Sequence, residues 1–280
     1  HDARARESPE QVSGFDLTFS IPKSVSVLWG VADAETQAAI MDAHHAAITG
    51  ALAWFEHEVA STRSGRGGVA SASVRGVVAI AYDHFETRDG DPHLHTHLAL
   101  ANRVQRASDG KWLTLDGRAI YRSAVAMSEL HENALLDQLH ERLGLVFTER
   151  ERPDSRSSRS VVADVAGFPS DLVDRFSTRR FALRKRREER EAEWLAHHPE
   201  DRDVPSTVKA HLDAQAWRET RKPKDAVAAP LSTLTRKWRD QLRASGYDGT
   251  ELIARVVGHE RRPVAAERVR SDVVEQLARL

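Results

Sequence analysis

Residues 93–98 read His-Leu-His-Thr-His-Leu. Side chains two apart share a face only in an extended strand, so His93, His95 and His97 project to one side and Leu94, Thr96 and Leu98 to the other. Three imidazoles on one face are costly to bury unless something uses them. Upstream, residues 72–84 form a second β-branched or alternating run in which Val78, Ile80, Tyr82 and His84 share a face. The intervening Glu86-Thr87-Arg88-Asp89-Gly90-Asp91-Pro92 has turn chemistry and is longer than a two-residue hairpin loop. Antiparallel pairing of the two runs therefore brings His84 beside His95 and His97. Three neutral imidazoles can hold a metal ion and leave positions open for water or substrate oxygens, as a Lewis-acid catalyst requires. The competing reading is a His-rich strand that only hydrogen-bonds to its surroundings. A histidine eleven residues upstream across a turn favours the metal. Nitrogen donors suit Zn, Ni or Mn better than Mg, a balance that an oxygen-rich substrate partly redresses.

Composition narrows the ligand chemistry. The 280 residues contain no Cys, which excludes a disulfide framework, a thiolate zinc site, an iron–sulfur cluster and a cysteine nucleophile. Any metal must be held by His, Asp or Glu. Lys+Arg 41 against Asp+Glu 42 argues against a generic polyanion-coating protein but leaves a local basic groove open. No apolar run approaches a bilayer span, so no membrane insertion is expected. The length suggests about two domains.

Along the chain, residues 13–20 alternate, with Phe15, Leu17 and Phe19 on one side and Asp16, Thr18 and Ser20 on the other, so Asp16 faces away from the core. Pro22 suits a first helical turn, followed by the apolar stripe Val25, Leu28 and Trp29. Residues 35–59 predict a long amphipathic helix through Met41, His44, Ile48, Leu52, Phe55 and Val59. Residues 61–68, Ser/Arg/Gly-rich, read as a flexible loop, and 111–115 as a short strand. Asp116 can cap a helix over 117–143, stopped by Gly144. Residues 149–160 are expected to be a mobile charged loop. A helix begins at Phe168-Pro169-Ser170 and carries the pairs Arg184/Glu188, Lys185/Glu189 and Arg187/Glu191, and its basic stretch is expected to be a solvated face. Further helices cover 213–221 and 231–242, with Trp217 and Trp238 expected as core anchors.

The segment Gly14-Phe15-Asp16-Leu17-Thr18-Phe19-Ser20-Ile21-Pro22-Lys23-Ser24-Val25-Ser26, followed by His84-x-x-Thr87-Arg88-x-x-x-Pro92-x-Leu94-His95-Thr96-His97, resembles the relaxase domain of the TrwC/TraI type, the MobF class of HUH endonucleases. Lys111-Trp112-x-x-Leu115-Asp116 and Gly167-Phe168-Pro169…Phe176-Ser177-x-Arg179-Arg180 extend the likeness. The resemblance implies an α+β fold: an antiparallel palm-like sheet backed by helices over residues 1–145, and mainly helical fingers over 146–280 that close on DNA. It implies nicking of single-stranded origin-of-transfer DNA by metal-assisted tyrosine transesterification during plasmid conjugation in the bacterial cytoplasm, with relaxosome and conjugation-coupling proteins as further partners. It assigns His84, His95 and His97 as ligands of a divalent ion, with Mg or Mn expected in function and Zn or Ni possible. Asp16 is the carboxylate that orients a ligand histidine and helps activate the tyrosine. Arg88 and Lys23 are candidate phosphate contacts; His93 has no ligand role, and Thr96 is structural.

The family places its nucleophilic tyrosine before the Asp16 strand, whereas this sequence holds only Tyr82, Tyr121 and Tyr247. With no initiator Met, the expectation is a chain truncated upstream, which binds metal and single-stranded DNA without cleaving by the usual route. Two other classes fit the same residues: a metal-dependent phosphodiesterase using a bound water, with Asp16 as general base, and a catalytically inactive single-stranded DNA-binding module.

Overall fold

In the computed structural model, residues 12–151, 161–223 and 229–258 are described. A three-stranded antiparallel sheet in the order β1-β5-β4 organises the site, with β1 at Gly14–Ser20, β4 at Ala79–Glu86 and β5 at Pro92–Ala101. The alternation in β1 plays out as read: Phe19 is buried and Asp16, Thr18 and Ser20 are exposed. The back of the sheet is covered by α2 (Ala34–Trp54), which ends in a π-helical turn over Phe55–Val59, and by α3 (Gly117–Leu143). Helix α3 starts and stops where its caps predict. The Asp116 carboxylate accepts from the Arg118 backbone N–H, and Gly144 takes the left-handed conformation that a side chain would oppose.

Helix α1 (Lys23–Val31) is buried over eight of its nine residues, Ser24 through Val31, rather than along one stripe. A helix enclosed on all sides needs its polar groups satisfied. Ser26 Oγ accepts from the Leu94 N–H at 3.3 Å, and Ser24 Oγ accepts from the Val165 N–H at 3.0 Å. The second bond reaches the hairpin of β8 (Phe147–Glu151) and β9 (Val161–Val165). Gly30 permits the close approach of Trp238 and Pro92; a Cβ there would lie 2.8 Å from the Trp238 ring. Trp238, on α7 (Leu231–Ala244), is fully buried against Trp29 and donates through Nε1 to the Gly90 carbonyl at 2.8 Å. Helix α8 (Gly249–Val256) closes this core through Leu252 and Val256.

The structure corrects several local expectations. Residues 61–68 are not a flexible loop: β2 (Ser61–Ser64) pairs antiparallel with β3 (Ala70–Ser73) across a turn at Gly65, Gly67 and Gly68. Low intrinsic strand preference is overridden by docking, since Thr62 bridges Leu115 and its hydroxyl donates to the Thr114 carbonyl at 2.7 Å. Residues 72–84 are not one strand, because the chain turns near Gly76 between β3 and β4. The 111–115 run contributes Trp112–Leu113 as β7, paired with β6 (Val104–Gln105). Of the expected 149–160 loop, residues 149–151 lie on β8, and 152–160 fall outside the described residues.

The helix expected from Ser170 is two helices, α4 (Ser170–Arg175) and α5 (Thr178–His197). At the break the buried Asp91 carboxylate accepts from the Thr178 N–H at 2.8 Å and its hydroxyl at 2.9 Å, a partner 87 residues distant that no local pattern reveals. The 213–221 helix is the end of α6 (Ser206–Glu219). Arg184 pairs with Glu188 at 3.9 Å, but Arg186 and Arg190 reach across to Glu219 and Arg187 to Asp213. Trp217 is no core anchor: it is 42% exposed, with the Arg221 guanidinium 4.6 Å and that of Arg179 5.7 Å from its ring centroid.

Candidate metal centre

Strand β5 is central, so its open-face side chains have neighbours on both sides. The register sets His84 opposite His95 and Tyr82 opposite His97 on β4, and Ser20 opposite His95 and Thr18 opposite His97 on β1. One ring nitrogen from each of His84, His95 and His97 lies within 4.8 Å of the other two. The ring centroids are 5.2 Å (His84–His95), 4.8 Å (His84–His97) and 5.3 Å (His95–His97) apart.

Hydrogen bonds orient the His97 and His95 rings. His97 Nδ1 lies 2.9 Å from each Asp16 carboxylate oxygen, with the Thr18 hydroxyl at 3.2 Å. His95 Nδ1 donates to the His93 carbonyl at 2.8 Å. A neutral imidazole that donates through Nδ1 keeps its lone pair on Nε2. Burial, reinforced by the neighbouring His84 and His97 and opposed by the bond to the His93 carbonyl, lowers the His95 pKa and favours its neutral form. Neutral nitrogens backed by a carboxylate suit a divalent cation: the donor set does not cancel its charge, and Asp16 raises the basicity of His97. His93 stacks on His95 at 4.6 Å between centroids, and burial, with His95 and Lys23 beside it, pulls its pKa to about 3.

A cleft of about 650 Å³ opens beside the histidines, with Thr18, Ser20 and His93 in its wall. Lys23, Arg150, Arg179 and Arg180 also line it, as does Trp217; Asp91 and Glu132 are its carboxylates. Lys23 Nζ donates to the Pro92 carbonyl at 2.6 Å, and burial lowers its pKa to about 8, with Asp91 partly offsetting the shift. The structure thus brings Asp16, His84, His95 and His97 together and sets Lys23 on the adjoining wall. Arg88 is directed elsewhere: its guanidinium donates to the Lys222 carbonyl at 3.1 Å, and Lys222 pairs with Asp89 at 2.7 Å.

Sequence reasoning missed two groups. Arg150, Arg179, Arg180 and Trp217 meet in the cleft only through the packing of α5, α6 and β8. Beneath the sheet, His44 Nε2 lies 3.0 Å from Thr96 Oγ1, and His44 Nδ1 lies 3.1 Å from His131 Nε2. A histidine on the apolar stripe of a helix, and a threonine alternating with leucines, were the available signals.

The sequence profile described as TrwC relaxase matches residues 2–245. The multifunctional conjugation protein TraI of Escherichia coli is 30% identical over 241 residues, which is 84% of this chain and 12% of TraI. TraI of the K12 strain is 30% identical over 207 residues, 65% of this chain and 11% of that protein. The chain therefore spans about one eighth of the length of these relatives. Among solved structures, the conjugative relaxase TrwC in complex with OriT DNA superposes with a TM-score of 0.65 in a metal-free form, at 25% identity over 89% of this chain and 79% of that one. A metal-bound TrwC–OriT complex gives 0.63 at 25% identity, over 89% and 77%. The chain belongs to the TrwC relaxase family.

Proposed function

We propose that this chain is the metal- and DNA-binding part of a conjugation relaxase, a protein that nicks single-stranded origin-of-transfer DNA in the bacterial cytoplasm by metal-assisted tyrosine transesterification, and that these 280 residues bind the DNA without themselves forming the covalent adduct. The observation that carries the reading is the convergence of His84, His95 and His97, with Asp16 on His97, next to Thr18 and Ser20, which line a cleft that also holds Lys23, Arg150, Arg179 and Arg180. His84, His95 and His97 would hold the ion, Mg or Mn in function, with Zn and Ni also accepted by nitrogen donors. When bound, the ion supplies polarisation of a phosphate oxygen and offsets charge developing there. Asp16 accepts the His97 Nδ1 proton and keeps that ring in the liganding tautomer. Lys23, Arg179 and Arg180 attract and orient the phosphates, and the exposed Trp217 ring offers a surface on which a base can stack. Arg88 gives one of its five N–H donors to the Lys222 carbonyl, which aims its guanidinium away from the cleft.

The attacking hydroxyl is assigned by family likeness to a tyrosine N-terminal to β1, and residues 1–13 contain none. Tyr247 donates to Asp171 at 2.8 Å, and Tyr121 lies exposed on α3 edge-on to Phe15. Tyr82 stands on the metal face but within β4, two residues before His84.

The test incubates the 280-residue chain with labelled single-stranded oligonucleotides and Mn(II). Expected are ion binding that His95→Ala abolishes, DNA retention, and no covalent adduct. An adduct lost in Tyr82→Phe reassigns the nucleophile, and turnover without adduct favours attack by water. Ion binding indifferent to His95→Ala overturns the metal reading and leaves a DNA-binding module.

A further inference from the structure

The back face of the ligand strands carries a chain of hydrogen bonds that no part of the proposed chemistry uses. Thr96, fully buried between the two ligands of β5, donates through Oγ1 to Asp83 Oδ1 at 2.5 Å, and Asp83 directly precedes His84 on β4. The carboxylate can only accept, so the threonine proton is committed to it and its lone pair must accept from His44 Nε2–H at 3.0 Å. Neutral His44 then has a bare Nδ1, which accepts from His131 Nε2–H at 3.1 Å. His45, the next residue of α2, donates through Nε2 to the same Asp83 carboxylate at 3.0 Å. His44 and His131 are 0% and 2% exposed. Two adjacent histidines of α2 thus grip both strands: His44 holds β5 between its ligands, and His45 holds β4 one residue before its ligand.

The polar chain is informative because, beyond the turn and Phe85 at the hairpin end, the paired length of β4 and β5 does little to choose a register. On the back face Ala79 faces Leu100 and Ala81 faces Leu98, so along this stretch a slip by two residues keeps small apolar groups against leucines; the hairpin end is held separately by Phe85, stacked on Trp29 at 5.3 Å, and by the turn, where the Thr87 N–H donates to the Asp91 carbonyl at 2.9 Å. A slip by one would turn every side chain to the wrong face, but a slip by two preserves parity. On the open face His93, His95 and His97 are equally spaced, so His84 would again meet a histidine, His93 or His97 instead of His95. Only in the observed register does Asp83 face Thr96; after a slip by two it faces Leu94 or Leu98, a half-buried carboxylate without the threonine proton.

We infer that His44, Thr96, Asp83 and His45 form a register lock: positioning residues on the back of the sheet that select His84, His95 and His97, rather than a set including His93, as the cluster that meets Asp16. The inference rests on the metal reading for its consequence, not for the lock itself.

The test uses Thr96→Val, which keeps the shape and deletes the hydroxyl, and Thr96→Ser, which restores it. Two readouts are taken on the folded 280-residue protein: Mn(II) or Ni(II) affinity by titration calorimetry, and the β4–β5 register from cross-strand nuclear Overhauser contacts, which needs no ion. Thr96→Val is expected to populate a second set of cross-strand contacts and to weaken ion binding by the fraction left in the native register, about tenfold when about a tenth of the molecules keep it. Thr96→Ser is expected to reverse both. His45→Gln, at the half-exposed end, gives the same changes in smaller degree and serves if Thr96→Val does not fold. An unchanged single register in both Thr96→Val and His45→Gln overturns the lock, whatever the affinity does. Wild-type protein whose ion binding ignores His95→Ala overturns the metal reading instead, while the register arm still decides the lock.

Discussion

Replacing Asp16 by Asn probes the site with little change in shape. Both Asp16 oxygens lie 2.9 Å from His97 Nδ1, so the charge and the second acceptor are lost together while one carbonyl oxygen remains. Removing such a partner of a metal-binding histidine typically costs about 10–100-fold in ion affinity. The Asp16 side chain is 60% exposed, so water competes for the histidine proton and screens the charge, which places the effect at the lower end. The expected loss is about tenfold, or about 1.4 kcal/mol of binding free energy. Asp16→Ala, which leaves Nδ1 to Thr18 and water, should lose somewhat more. The assay is calorimetric titration with Mn(II) or Ni(II) near pH 8, with His95→Ala as the null. Thermal unfolding of Asp16→Asn should match wild type, since the side chain lies on the surface. An Asp16→Asn affinity within twofold of wild type, beside a silent His95→Ala, would refute the claim that the carboxylate tunes His97.

Lys23→Met should lower the salt dependence of single-stranded DNA binding by about 0.7 in the log–log slope, one phosphate contact; because Lys23 titrates near 8, the difference between the two proteins should shrink as pH rises from 7 to 9. Burial lowers the pKa of His44 to about 3 and of His131 to about 4, His44 facing the cationic forms of His131, His45 and His95 and the opposing charge of Asp83. Below the ordinary value of 6.5 the unfolded chain takes up protons that these folded rings refuse, so stability is full above that pH and falls as pH drops toward 4. Urea unfolding should register a loss of about 2 kcal/mol per histidine between pH 7.5 and 5, absent in the His44→Leu/His131→Leu double variant. Trp238→Ala should cost about 3–5 kcal/mol, read as a lowered midpoint in thermal or urea unfolding, because the ring is fully buried and its Nε1 bonds Gly90.

Elements whose signals are local were legible. The alternation of 13–20 and 93–98, the Asp116 cap and the Gly144 stop each depend on residues within a turn or a strand, where side-chain period and backbone preference act directly. Failures cluster where distant partners override local preference. The Ser/Arg/Gly segment became a hairpin because Thr62 found Leu115 and Thr114, and the helix after Pro169 broke where Asp91 met Thr178. Trp217 read as a core anchor because aromatic rings usually are, yet the packing of α5 against α6 leaves it at the surface between two arginines.

What the order of residues determined alone was which side chains could share a face: three imidazoles on one side of a strand, Asp16 on the polar side of another, and the possibility that His84 would join them. Face-sharing follows from the two-residue period of a strand, which is written into the chain. Which histidine meets which, that Asp16 lies beside His97, and that Arg88 turns to Lys222 while Lys23 lines the cleft were decided by tertiary structure. Those outcomes depend on strand register and helix docking, where burial and hydrogen bonding between residues 52 to 134 positions apart outweigh any local preference.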